Sequence, residues 1–485
     1  MATLSPFVEH LLRRAGFGAS PAERDQFARY TYPLAVAALT EFNPDETDID
    51  DKIGTPGYVG ITTRGQFSPN QVINDSRQRV LFRMVHSPAP LQEKMALFWH
   101  HHFATAYSKV QNFAGTTDGA RMMAAKPTED AAGARGQYEL FRQKGLGKFR
   151  DLLVEVAKDP AMLVWLDGIS NTKAKPQENF GRELMELFTF GVEHYVETDV
   201  YAAARVFSGW NMVQTGTRGT ASAYYAFNYN AAQHDTAAKD FSFPIYAGGS
   251  KRIEARSAAS GIQDGLDLIN ALATHQETAK RLARRFWTWF VSEVDTPDSQ
   301  FVESIASVYL KNDTDIKPVL QAVFMSPQFL DSHRFFQRYA WPIEFVIRSL
   351  KEVGYLGFSV DTAITPLVNM GLQIFEPPDV NGWEIGPGWF STGGMLSRMN
   401  FAATLATNQR VALRDSARDA RSTPESLVDY VLGRVTMPEQ TSGNRNALLD
   451  YVRSGGTWTG SDTQLLTKTA GLFHLLTGSG EYQFV

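Results

Sequence analysis

Glu178-Asn179-Phe180-Gly181-Arg182-Glu183-Leu184-Met185-Glu186-Leu187-Phe188 separates polar from apolar residues at helical spacing, and this separation decides the fold class. With Asn179 as origin and about 100° per residue, Glu183 falls near 40° and Glu186 near 340°, while Phe180, Leu184, Leu187 and Phe188 take the other side. Two carboxylates and an amide share one stripe. Such a stripe suits a divalent cation or acid and base work, and it equally suits a solvated helix face with a Glu178–Arg182 pair at i,i+4. An imidazole partner is offered by Trp99-His100-His101-His102-Phe103.

Helix signals recur on both sides of this stretch. Ser5-Pro6 opens a short segment closing at Gly16, and Ser20-Pro21-Ala22-Glu23 has capping-box spacing with proline at the first helical position. Segments 71–86, 91–103, 147–158, 177–190 and 199–208 read as helices, the last two stopped by Gly191 and Gly209. Residues 45–70 are rich in Gly, Pro, Thr and Asp and read as a loop. Between 211 and 255 the aromatic run Tyr224-Tyr225-Ala226-Phe227-Asn228-Tyr229 predicts a little β structure in an irregular segment. Helical periodicity resumes over 261–291, 298–310, 316–324 and 342–354. The prolines of Glu376-Pro377-Pro378-Asp379-Val380-Asn381-Gly382-Trp383 demand an extended loop. The expected fold is mainly α: one multi-helical domain over 1–408 with a small irregular or β insertion near 211–255, and a helical extension, 409–485, packed on it.

The chain has 485 residues, enough to bury a sizeable core, with 43% hydrophobic and 20% charged residues. A net charge of −5, with basic residues dispersed, gives no electrostatic footprint for nucleic acid. Cysteine is absent, which excludes disulfides, thiol catalysis and zinc thiolates. Any metal must use His, Asp, Glu or carbonyl ligands. No apolar run approaches the roughly 20 residues that span a bilayer, so membrane insertion is not expected. The start lacks a signal-peptide pattern, so a cytoplasmic location is expected, with a secreted or periplasmic one if this is a processed form.

If 91–103 is one helix, Leu91, Met95, Phe98 and His102 share a side, and His100 points opposite. His102 should then be buried, and His100 and His102 meet at one metal only if the helix ends or unwinds there; otherwise a single imidazole is the ligand. Buried imidazoles bonded to carbonyls are the plain alternative. His234-Asp235 offers an imidazole beside a carboxylate, or a turn device. Nucleophile-elbow, phosphate-loop and dinucleotide signatures are missing. The run Phe286-Trp287-Thr288-Trp289-Phe290 belongs to the core.

Taken in order, His10-Leu-Leu-Arg-Arg-Ala-Gly-Phe-Gly18, Phe98-Trp-His-His-His-Phe103, Glu178 through Gly191, Asp199 to Trp210, His234-Asp235 with Lys239, Ser326-Pro-Gln-Phe329, and Pro377 to Trp383 with Arg398 resemble the bacterial DUF1800 family. The family usually has Asn where His101 stands and often His where Phe188 stands. The resemblance implies a mainly helical domain and, in many members, a secretory signal. It also implies association with a second family that looks like sulfatases and alkaline phosphatases, hence a sulfatase-like partner and work on extracellular polymers.

The expected activity is that of a metal-assisted hydrolase acting on a glycan or peptide. Glu183, His234 and Arg182 are its candidate catalytic residues, with His234 as general acid or base and Arg182 orienting an anionic group. Asn179, Asp235, Arg398 and Trp383 are candidate substrate contacts, and His100, His102 and Glu186 are candidate ligands of a divalent metal ion that lowers the pKa of bound water. The stripe should then face an inward polar cavity. The alternative is a non-enzymatic binding or maturation partner in which these polar motifs are structural.

Overall fold

A computed structural model describes residues 4–63 and 65–485. Among these residues helices dominate, and strands form two antiparallel pairs. Trp210–Thr215 pairs with Tyr224–Tyr229, and Lys239–Asp240 with Arg252–Ile253. The four strands fall at residues 210–253, where a little β structure is expected, and the aromatic run 224–229 is one of them. No helix among the described residues is long and apolar enough to cross a membrane.

The N-terminal helices Pro6–Ala15 and Pro21–Phe27 begin as their sequences dictate. Ser5 accepts the Val8 N–H at 3.3 Å, and Ser20 and Glu23 exchange both bonds of a capping box. A third helix, Tyr32–Thr40, follows. At the centre lies Pro90–His102, in which every residue is buried. A helix surrounded by protein cannot leave polar groups unmatched, and its charges are paired. Glu93 takes the Arg142 guanidinium at 2.7 Å, and Lys94 meets Glu344, which also holds Arg338 at 2.7 Å. The helices Ile73–His86 and Gln137–Lys144 pack against it.

The acidic stretch departs from a uniform helix. Asn179–Glu183 is α-helical, and Leu184–Phe188 widens into a π turn. Thr189 Oγ1 caps the Leu184 carbonyl at 2.6 Å, and Gly191, at φ +91°, turns back so that its N–H reaches the Met185 carbonyl at 3.1 Å. Widening the turn changes the angle per residue over 184–188, yet Glu186 stays close enough to Glu183 for its charge to act on that carboxyl. The periodic stretch 261–291 is likewise interrupted. Ile262–Ala273 stops, the His275 side chain accepts the Glu277 N–H at 3.1 Å, and Gln276–Phe286 starts afresh before a second π turn, Trp287–Val291. Phe286, Trp287, Trp289 and Phe290 are core residues, as expected.

Beyond 409 the helices Arg410–Ser416, Pro424–Leu432, Ser442–Arg453 and Asp462–Thr477 continue the helical architecture. The chain end is stitched into the body. Ala340 N–H donates to the Gln483 carbonyl at 2.9 Å, and Val485 N–H donates to the Arg338 carbonyl at 2.8 Å.

Candidate functional site

The three histidines close the central helix, and each turns to a different loop. His100 Nε2 accepts the Phe375 N–H at 3.2 Å, and His101 Nδ1 accepts the Trp383 N–H at 3.1 Å. His102 Nε2 lies 3.1 Å from the Phe188 carbonyl and donates to it, because a carbonyl only accepts. Burial pushes His100 down to about 3, and burial followed by the Arg285 charge holds His101 and His102 well below the ordinary imidazole range. All three are therefore neutral. Phe375 sits at φ +68°, a backbone state that a non-glycine residue keeps only when its surroundings hold it. His100 supplies one such restraint, and Tyr107, whose N–H reaches the Phe375 carbonyl at 2.8 Å, supplies another. Gly382 is required beside His101, since a Cβ there would lie 2.3 Å from Nδ1.

His102 is buried, as its helical angle predicts, and His100 points away from it. The two do not converge. Among the described residues no group of three or more His, Asp or Glu side chains is placed to hold a metal ion.

The Asn179, Glu183 and Glu186 stripe lies on a surface rim, a correction to the expected inward cavity. Asn179 is exposed and donates to Asp167 Oδ2 at 2.8 Å. Arg182 is held by Glu197 at 2.6 Å and Glu178 at 3.3 Å, which leaves its fork engaged within the chain. Glu186 is half-buried, receives the Tyr195 hydroxyl and feels the Arg281 charge. Glu183 is half-buried with no hydrogen-bond partner among the described residues. Burial first, then the neighbouring Glu186 charge, raises its carboxyl to about 7 against a smaller opposing pull from Arg182.

His234 and Asp235 separate. Asp235 forms a two-point pair with Arg205, at 2.7 and 3.2 Å. His234 is sealed: Nδ1 donates to the Ser208 carbonyl at 2.9 Å, Nε2 lies 3.2 Å from Asp264 Oδ2, and Lys239 Nζ reaches the same oxygen at 2.5 Å. These three side chains have no solvent exposure, so His234 reaches no substrate in this arrangement. Trp383 and Arg398, the other expected substrate contacts, are core residues too. Arg398 donates to the Ala340 carbonyl at 2.8 Å and to Gln483 Oε1 at 3.1 Å, tying the chain end to the body.

Beside Glu186 opens a cleft of about 260 Å³, lined by Phe190 and Gly191 of the acidic motif and by Arg281, Arg284 and Arg285. Arg281 joins the two features, donating to the Leu187 carbonyl at 3.1 Å. The sequence reading missed these arginines. Their signal, three cations at i, i+3 and i+4 on a helix, was available in Arg281-Leu-Ala-Arg-Arg285.

The fold and site define a class: a multi-helical protein whose conspicuous histidines lock the core, and whose exposed chemistry is an acid pair beside an arginine-lined cleft. The chain belongs to the DUF1800 family, described as a protein of unknown function, whose family model matches residues 10–484. No curated protein and no solved structure matches it.

Proposed function

We propose that this chain is a hydrolase, acting on a glycan or peptide by acid–base chemistry at Glu183. The observation that carries the reading is a half-buried carboxyl raised to about 7, with no hydrogen-bond partner among the described residues, near a second carboxylate that accepts the Tyr195 hydroxyl. A carboxyl raised in this way suits proton transfer near neutral pH. Glu183 in its acid form gives its proton to the leaving oxygen or nitrogen as water adds to the reacting carbon, and the Glu183 carboxylate then takes the surplus proton from that water. The bond is broken, one water is consumed and the acid form returns.

In the metal-assisted version of this reading, Glu183 and Glu186 would hold the divalent cation, with water in its remaining positions; it would supply an activated water. His100 and His102 are no part of that set, since they turn to different loops and no group of three or more His, Asp or Glu side chains among the described residues brings either to the acid pair. A screen of polysaccharides and peptides with wild type and Glu183→Gln, alongside metal analysis, tests both versions. The variant should fold and lose about 10²–10⁴-fold in kcat. About one tightly held cation per chain, lost in the variant, selects the metal-assisted version. A folded variant with unchanged activity and metal content sinks both. That outcome favours a binding or maturation partner, a reading supported by the structural use of His101, His234, Trp383 and Arg398.

A further inference from the structure

The helix Gln276–Phe286 places Arg281, Arg284 and Arg285 on one face, where like charges at i, i+3 and i+4 repel one another. Surface helices normally relieve such a cluster with carboxylates on the same face or a facing element. Here that relief is withheld. Arg285 is half-buried and its guanidinium makes no hydrogen bond or ion pair with any described residue. Burial and the Arg281 charge pull it down to about 10, so even a guanidinium registers the strain of its setting. Arg281 keeps one bond, to the Leu187 carbonyl, while its buried Nε has no partner. Arg284 is exposed at the mouth with no side-chain partner among the described residues.

The nearby carboxylates leave most of the cluster uncompensated: Glu186 acts on Arg281, and no carboxylate among the described residues acts on Arg285. Glu193 lines the cleft without pairing to any of the three. Glu277 is turned to His194 at 3.6 Å and Lys280 at 3.9 Å, and Glu186 is turned to Tyr195. Backbone geometry fits the same purpose. Gly191, at φ +91°, lets the chain pass so close that a Cβ would stand 3.0 Å from Arg281 Nη1. A concave space of about 260 Å³ walled by three guanidinium groups is large enough for a multi-atom anion.

We propose that this cleft is an anion-binding subsite that takes an oxyanion group of a ligand, a sulfate, a phosphate ester or a carboxylate. Arg285 provides the inner fork, Arg281 the flank and Arg284 the mouth, and paired N–H donors suit the oxygens of all three groups. The site stands independently of proton transfer at Glu183. Because Arg281 also faces Glu186, a ligand anchored here by an anionic substituent places its next atoms toward the acid pair.

Calorimetric titration of the whole chain with sulfate, phosphate and acetate at low ionic strength tests the proposal. At least one of them should bind saturably at about one site per chain, with Kd below about 10 mM. Arg285→Gln should weaken that binding at least about tenfold, and Arg284→Gln, an exposed change that leaves the fold intact, at least about threefold. Arg445→Gln, remote and already paired with Asp429 at 2.5 Å, should leave it unchanged. Stronger binding of sulfate or phosphate than of acetate assigns a tetrahedral group, and the reverse assigns a carboxylate. Absence of saturable binding for all three anions, or equal binding by wild type and both cleft variants, overturns the proposal.

Discussion

Replacing Glu183 by glutamine keeps the side-chain volume and removes the charge, so its effect on stability isolates the environment of that carboxyl. Moving a carboxyl from 4.5 in the unfolded chain to about 7 in the fold makes ionisation of the native state costlier. In full the difference is about 3 kcal/mol, and solvent at the half-exposed side chain screens it to about 1–2 kcal/mol. The sign follows from proton binding: between these values the folded state holds the proton that the unfolded state has lost, so stability falls as pH rises. The stabilisation is complete below about 4.5 and gone once pH passes about 7. Urea unfolding of wild type and Glu183→Gln across this range should show little difference near pH 4, and a variant more stable by about 1–2 kcal/mol near pH 8. Asp159, likewise raised to about 7 by burial, titrates in both proteins and cancels in the difference. A difference that does not change with pH, or a variant less stable at pH 8, refutes the raised carboxyl and removes the basis for acid catalysis at Glu183.

Two further substitutions test the sealed motifs. Gly261→Ala would bring a Cβ to 2.1 Å from His234 Cδ2 and 2.3 Å from the Tyr229 hydroxyl, so it should cost about 1–3 kcal/mol in urea unfolding; a neutral result would mean that His234 is not packed there. His101→Leu leaves the Trp383 N–H without its acceptor and should cost about 1–3 kcal/mol, whereas His101→Asn keeps an acceptor at the same bond distance from Cβ and should cost less. Equal unfolding midpoints for the two His101 variants would show that this hydrogen bond contributes nothing.

Helix positions were legible because their causes are local. Ser5, Ser20 and Glu23 fix helix starts within a few residues, and the aromatic run at 224–229 selects a strand through propensity and flanking turns. Burial of His102 followed from its angle relative to Leu91, Met95 and Phe98. What each polar residue meets was not legible, because partners arrive from distant parts of the chain. His101 and Trp383 are far apart in sequence, as are Lys94 and Glu344, and no spacing rule links them.

The candidate site divides along the same line. From the sequence alone came the mainly helical class, the amphipathic split of the acidic motif, the cysteine-free chemistry and the nomination of Glu183 and Glu186. Tertiary structure alone decided that His100, His234 and Arg398 turn inward as hydrogen-bonding struts and that Trp383 is core, while among the described residues Glu183 has no hydrogen-bond partner and Arg285 has no ion pair in its cleft. The physical reason is the range of the forces involved. Helix formation is set by residues within one turn, whereas desolvation and charge pairing depend on whatever else the fold brings within a few ångströms.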